Sequence, residues 1–347
     1  MAYAIAQLWA FSYKGGISMD GLLAKILSNY DVDIKNIKKT KGYYIINCKN
    51  INYVLRKTPD SPERIEFCYR VQKNLLNNDF KNIEKIYITT EGVPYVLHEE
   101  QKYILTDYIS GREANFDDIK ELSKILAKLA DFHEKSKGLS PLPNEFYAEN
   151  MRVRLKKMSV ELSALRKKIN FSKGLKEFDL IFLKNYEYYE NNIYKALEII
   201  NRSSYHNKLK EVYFHNSICH NLLKKETIVC EGDDIFFSVF DRCIVDHATS
   251  DIAMIISKYM KYSAERAITV SEIINMYSAS GYNNLDEDDY SIILARLLMP
   301  TGFLSAAKQY YMKKRSWVPS AFISDLEFEV NSKESFLAYI NPLFKFT

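Results

Sequence analysis

A chain of 347 residues is longer than one minimal core requires and suits either two domains or one large two-lobed fold. Its 47% hydrophobic and 27% charged content excludes wholesale disorder, while 26 Tyr and 19 Phe against 11 Gly and 8 Pro favour long helices with few tight loops. Charge excludes a further class: 48 basic and 44 acidic residues are interspersed and leave a net +4, with no basic field of the kind a nucleic-acid binder presents.

Residues 2–11 are apolar but lack the basic n-region of a secretory signal, which argues against export by that route. Residues 1–18 read as an extension ahead of the first helix, and no run reaches the ~18 consecutive apolar residues of a membrane span. From Asp20 to Tyr30, Leu22, Leu23, Ile26 and Leu27 share one face behind an Asp cap and predict a short amphipathic helix. The period then shortens to that of strands: residues 34–39, 43–48 and 53–57, broken at Lys41-Gly42 and Lys49-Asn50, predict an antiparallel meander. Ser61-Pro62-Glu63 supplies a cap, a first-turn proline and an acid for a helix with Ile65, Cys68, Val71, Leu75 and Leu76 inward. Strand patterns return at 85–88, turning at Glu91-Gly92 into 93–98, and at 102–109. Strands, one helix and strands again make the outline of a kinase N-terminal lobe.

From Ser110-Gly111-Arg112-Glu113 onward the pattern is mainly helical. Asn115 is placed to cap a helix with Ile119, Leu122, Ile125, Leu126, Leu129 and Phe132 at helical spacing. Two further helices are predicted over residues 150–169 and 175–200. A non-helical island follows at 213–243, where residues 227–230 and 235–240 flank Gly232-Asp233-Asp234 as a hairpin. The expected division is an extension at 1–18, an N-lobe at 19–107 and a helical C-lobe at 108–347. The fold class is therefore α+β and bilobal, protein-kinase-like, with a small antiparallel-sheet N-lobe and a mainly helical C-lobe.

The island carries the chemistry expected of such a lobe. Kinases use a catalytic-loop Asp to orient the acceptor hydroxyl, an Asn five residues later as a Mg²⁺ ligand, and a second metal-binding Asp after the next strand. The stretch from Phe214 to Leu223 has this layout, with Asn221 at the metal-binding Asn and Asn216 where the catalytic Asp belongs. Downstream, Val239-Phe240-Asp241 and Asp251-Ile252-Ala253 are similar to the aminoglycoside and choline kinase pattern Ile-Asp-Phe-Asp followed by a helix-opening Asp-Leu-Ala. Aligning Asp251 with that helix-start Asp puts Val239 at the metal-binding position and Asp241 at the second acid.

With two further blocks, Tyr103 to Glu113 and Leu129 to Gly138, the chain resembles the CotS-type spore coat proteins, a branch of the aminoglycoside phosphotransferase-like superfamily. The resemblance implies a nucleotide site in which Arg56 or Lys57 pairs the phosphates, and Glu66, or else Glu63, pairs that cation. Asn221 and Asp241 would hold metal if Mg-ATP were bound. The departures argue against phosphoryl transfer. An Asn cannot accept a proton as a carboxylate does, Val239 offers Mg²⁺ no oxygen, and Gly42 stands alone where a glycine-rich loop would cover phosphates. The expected function is thus a structural or interaction protein of the spore coat, a pseudokinase needing no cofactor. The alternatives are an active phosphotransferase and a nucleotide sensor that does not transfer phosphate. The expected partners are other coat proteins, with no nucleic acid, membrane span or small-molecule substrate. The expected place is the mother-cell cytoplasm during synthesis and the coat after assembly.

Other reactive side chains have plainer readings. Cys48, Cys68, Cys219, Cys230 and Cys243 are an odd number without C-x-x-C spacing, which argues against a disulfide framework or a zinc site and for a reducing compartment. His215 and His220 lack a third ligand, Cys219 is expected to be buried and inert, and His133 to cap helix carbonyls. Asp246 and Asp251 are expected to fix the loop and cap the next helix. Most of the Tyr and Phe residues are assigned to the core, with exposed Tyr suited to partner contacts.

Overall fold

The structure is a computed structural model that describes residues 21–139, 143–171, 174–263, 267–279, 281, 285–312 and 319–347. The expected extension at 1–18 lies outside the described residues. In chain order the elements are α1 (Gly21–Leu27), β1 (Ile34–Lys39), β2 (Tyr43–Cys48), β3 (Asn52–Thr58), α2 (Pro62–Asn77), β4 (Ile86–Tyr87), β5 (Val96–His98), β6 (Gln101–Asp107) and β7 (Arg112–Glu113). There follow α3 (Ile119–Lys135), α4 (Met151–Asn170), α5 (Glu177–Arg202), α6 (Tyr205–His215), β8 (Ile218–Cys219), β9 (Ile228–Glu231), β10 (Asp234–Phe237) and β11 (Ile244–Val245). The described chain closes with α7 (Thr249–Tyr262), α8 (Val270–Ser278), α9 (Glu287–Leu297), α10 (Thr301–Met312), α11 (Pro319–Asn331) and α12 (Lys333–Ile340).

These elements form two compact units. The first takes the described chain up to Asn115, the short stretch Lys135–Ser140 and the hairpin region Leu222–Cys243. The second takes Phe116–Glu134, Pro141–Asn221 and Ile244–Thr347. This division differs from a single cut near residue 107, because the hairpin that sequence order assigns to the second lobe is built into the first. The reason is strand pairing: β9 lies between β10 and β7, with Arg112 opposite Cys230 and Glu113 opposite Val229. Gly111 permits that approach, since a Cβ there would stand 2.5 Å from the Cys230 carbonyl oxygen.

In the first unit the main sheet runs β1-β2-β3-β6-β4, with β5 added on β6, and every pair is antiparallel. Leu23, Ile26 and Leu27 of α1 close over Ile46, Leu55, Tyr103 and Leu105 of this sheet, forming a core from the side chains that the alternation places inward. Strand β5 begins only at Val96, later than the expected 93, because Pro94 has no N–H to give a ladder. Helix α2 starts as expected, with Ser61 Oγ accepting from Arg64 N at 3.3 Å and Pro62 in the first turn.

The second unit is helical apart from β8 and β11, which pair Cys219 with Ile244 and Ile218 with Val245. Helix α3 buries Leu122, Ile125, Leu126, Leu129 and Phe132 as predicted, but its cap is Asp118, whose Oδ1 accepts from Lys120 N and Glu121 N; Asn115 lies too far upstream, and Ile119 is exposed. Helix α6 is a further correction, since it extends through His215 and moves the start of the loop from 213 to Asn216. Aromatic side chains fill the unit's core. Phe178 stacks on Tyr310 at 4.0 Å between centroids, and Tyr189 and Phe182 stack on Phe303 at 4.0 and 5.0 Å. Among the described residues one helical stretch, Glu287–Met312, is long and apolar enough to cross a membrane, with an 18-residue window of mean hydropathy 1.3. Of that window 67% is buried inside the molecule, and the stretch breaks at Pro300 into α9 and α10.

Candidate functional site

In the first unit the cation on β3 is settled by strand alternation. Lys57 is exposed and lies over the ring of Tyr103 at 5.5 Å, whereas Arg56 points to the opposite face and meets Asp241. The contact is bidentate: Arg56 Nη1 donates to Asp241 Oδ2 at 2.9 Å and Nη2 to Oδ1 at 2.6 Å. The two side chains are only 19% and 22% exposed. Burial works against the Arg56 charge, but the bonds and charge of Asp241, joined by the charges of Glu84 and Asp60, outweigh it and raise the guanidinium above its ordinary value. The expected pairing of Arg56 with Glu66 is corrected. Glu66 and Glu63 are exposed on α2, and it is Arg64 of that helix that turns toward the same segment, donating to the carbonyls of Asp241 at 2.9 Å and Cys243 at 2.6 Å.

Asp241 is brought to Arg56 by a break in backbone direction two residues earlier. Strand β10 ends at Phe237, and Val239 takes a left-handed conformation, φ 60° and ψ 70°, before a single 3₁₀ turn over Phe240–Arg242. The N–H of Val239 donates to the buried Glu84 carboxylate at 2.5 Å. A β-branched residue is a steric outlier in this region, which Asn and Asp tolerate far better. The backbone at 239 thus has a shape suited to the Asp that the sequence pattern lacks.

In the second unit the loop after α6 has a matching pair of left-handed residues, Asn216 (φ 47°) and Asn221 (φ 57°). Asn216 is 6% exposed, and its Oδ1 accepts from the hydroxyl of Tyr147 at 2.6 Å. That tyrosine packs edge-on against Tyr213 and is fixed by the backbone bond from Ala148 N to Val245 O. The loop itself hangs on Asp251. Its Oδ2 accepts the His220 N–H at 2.6 Å and its Oδ1 the Asn221 N–H at 2.9 Å. His133 Nε2 lies 3.0 Å from the same Oδ2, and His133 Nδ1 lies 2.8 Å from the Tyr277 hydroxyl. A carboxylate can only accept here, so His133 donates from Nε2, while Nδ1 and the Tyr277 hydroxyl share the second bond. Burial alone would raise the Asp251 carboxyl; the bond and charge of His133, the charge of His220 and the Asn221 N–H outweigh it and hold it below the usual range.

The loop-fixing role expected of Asp251 is therefore present. The capping role is not, because α7 opens at Thr249 and Asp251 is already inside it. His133 does not cap carbonyls either: it is buried and serves Asp251. Asp246 accepts from His247 N at 2.7 Å and from Arg296 Nη2 at 2.8 Å, while Arg296 also donates to Ser250 and Thr249. His215 is exposed, and His220 is buried with its ring against Phe132. His133, Cys219 and Asp251 place potential ligand atoms within 4.8 Å of one another, yet the His and Asp atoms already hold the bonds above. The Cys219 thiol is pushed well up by burial and donates to the carbonyls of Asp246 and His247. The cluster is a hydrogen-bonded knot, not a vacant metal cage.

The residues of the first unit do not fit a nucleotide-magnesium complex. Arg56, expected from the sequence to meet phosphate, and Asp241, expected to meet metal, are bonded to each other, and position 239 has no ligand oxygen. Arg296 and Tyr147 had no sequence signal. Each acts on a partner brought near only by the tertiary fold.

A two-layered sheet unit and a helical unit carrying this loop define a chain of the kinase fold. The aminoglycoside phosphotransferase of Alicyclobacillus acidocaldarius superposes with a TM-score of 0.78 at 14% identity, over 92% of this chain and 95% of that one. A spectinomycin phosphotransferase superposes with a TM-score of 0.63 at 12% identity, over 94% and 97%. The family described as "spore coat putative kinase YutH" matches residues 24–341, and the chain belongs to that family. Spore coat protein S of Bacillus subtilis (strain 168) is 21% identical over 336 residues, 93% of this chain and 95% of that protein, in keeping with the resemblance read from the motif blocks.

Proposed function

We propose that this member of the spore coat kinase-like family is a structural or interaction protein of the coat that does not transfer phosphate. The observation that carries the reading is the bidentate Arg56–Asp241 pair, which occupies the two charges a nucleotide-magnesium complex would need. Asn216 and Val239 support it, since neither supplies the carboxylate that phosphoryl transfer uses at these positions. The partners are other coat proteins, met through side chains such as the exposed Tyr43, Tyr194 and Tyr213, and synthesis takes place in the mother-cell cytoplasm.

A second reading, a nucleotide sensor without transfer, is favoured by one detail: Arg56 Nε is buried and has no hydrogen-bond partner among the described residues, so the guanidinium keeps a donor for an anion. Thermal unfolding with ATP, with and without Mg²⁺, separates the readings. The coat reading expects no shift in either case, and the sensor a shift that is independent of metal. A metal-dependent shift accompanied by ADP release on addition of an acceptor would overturn both.

A further inference from the structure

Two of the five cysteines meet in the first unit. Cys68, on the buried face of α2, and Cys243, just after the 3₁₀ turn that carries Asp241, lie 175 residues apart in sequence with their sulfurs 3.9 Å apart. Their backbones are held together by neighbours. Cys68 Sγ donates to the Phe240 carbonyl at 3.3 Å, and Arg64, one helical turn before Cys68, binds the carbonyls of Asp241 and Cys243. A disulfide needs an S–S distance of about 2.05 Å, so rotation of the two side chains has to close roughly 2 Å between sulfurs already in van der Waals contact.

We infer that Cys68 and Cys243 are a modification site, a thiol pair that a two-electron oxidant of the hydroperoxide class converts to an intramolecular disulfide. In the first step the Cys68 thiolate attacks the peroxide O–O bond, giving a sulfenic acid and releasing hydroxide, or an alkoxide from an organic peroxide. In the second the Cys243 sulfur displaces the sulfenic oxygen, which leaves as water with the Cys243 proton. Overall two thiols lose two hydrogens and one peroxide is reduced. Both sulfurs are buried, and burial holds the Cys243 thiol well above its ordinary pKa, so the reaction is slow and the reduced pair persists until oxidant is sustained. The product ties α2 to the segment bearing Val239 and Asp241 and closes a very long loop, the arrangement in which a cross-link restricts the unfolded chain most. The inference is independent of whether the fold binds nucleotide.

The test is to expose the folded full-length protein to hydrogen peroxide, block remaining thiols under denaturing conditions and map peptides without reduction. The expected result is the loss of two of the five thiols, a cross-linked peptide pair containing Cys68 and Cys243, a species that stays monomeric on a non-reducing gel, and a melting temperature raised by about 5 °C that dithiothreitol reverses. Cys68→Ala and Cys243→Ala should each abolish the cross-link and the shift; if either variant folds poorly, the wild-type peptide map decides. Retention of all five thiols where an exposed reference thiol is fully oxidised, a cross-link between other cysteines, or sulfinic acid at Cys68 without a cross-link would overturn it.

Discussion

The loop anchored by Asp251 is a buried polar constellation and the turn that carries Asp241 a half-buried one, and their bonds run to different kinds of partner. Asp251 binds backbone amides and a histidine, and so holds the chain in a shape. Asp241 binds the guanidinium of Arg56, a side chain that would otherwise be free to meet a solute. The difference separates two uses of a buried or half-buried carboxylate. Asp251 shapes the backbone around it, whereas the Arg56–Asp241 pair joins two side chains and leaves the backbone between them to other bonds.

The comparison can be broken most severely at Asp251. Asp251→Ala should cost about 3–5 kcal/mol, because it leaves two backbone N–H groups and the His133 proton buried without their acceptor. A urea denaturation midpoint close to wild type would show that the clamp does not hold the fold. The same carboxyl predicts a pH effect: its folded pKa lies below the ordinary 3.8, so its contribution is fully present above that value and is lost as pH falls through the lower folded pKa. Denaturation followed from about pH 4 downward should show a fall in stability that the Asp251→Asn variant lacks.

Arg56→Met should be milder, about 1–3 kcal/mol after allowance for partial solvent screening, with much of the loss recovered when Asp241→Leu is added. A double variant as unstable as the sum of the singles would mean that the pair is not coupled. Tyr147→Phe removes one buried bond to Asn216 and should cost about 1 kcal/mol by thermal unfolding. The smallest effect has the opposite sign: Val239→Asn should gain about 0.5–1 kcal/mol by relieving a left-handed β-branched residue. No gain in melting temperature would show that the valine is not strained there.

Much of this architecture was legible in local pattern. Period-two runs located β1 to β3, Ser61-Pro62 marked the start of α2, and Gly232-Asp233 marked the β9–β10 turn, because each depends on neighbours a few residues away. The candidate positions Asn216, Val239 and Asp241 were proposed by matching a spacing, and the structure adds that Asn216 and Val239 are left-handed. What remained hidden was long-range. Arg56 and Lys57 differ by one step of a strand, so only the register decides which faces Asp241, 185 residues away. Arg296 lies on a helix whose sequence looks like ordinary core, and Asp118 outcompeted Asn115 as a cap because the turn before α3 occupies the intervening residues.

The Asp251 clamp has a dynamic consequence. Loop amides ordinarily exchange with solvent deuterium within seconds to minutes, through small local openings. Those of His220 and Asn221 instead donate to an ionised, fully buried carboxylate, so releasing them means stranding that charge. Their hydrogens should exchange only when the whole helical unit opens, making two residues of a connecting loop reporters of global stability.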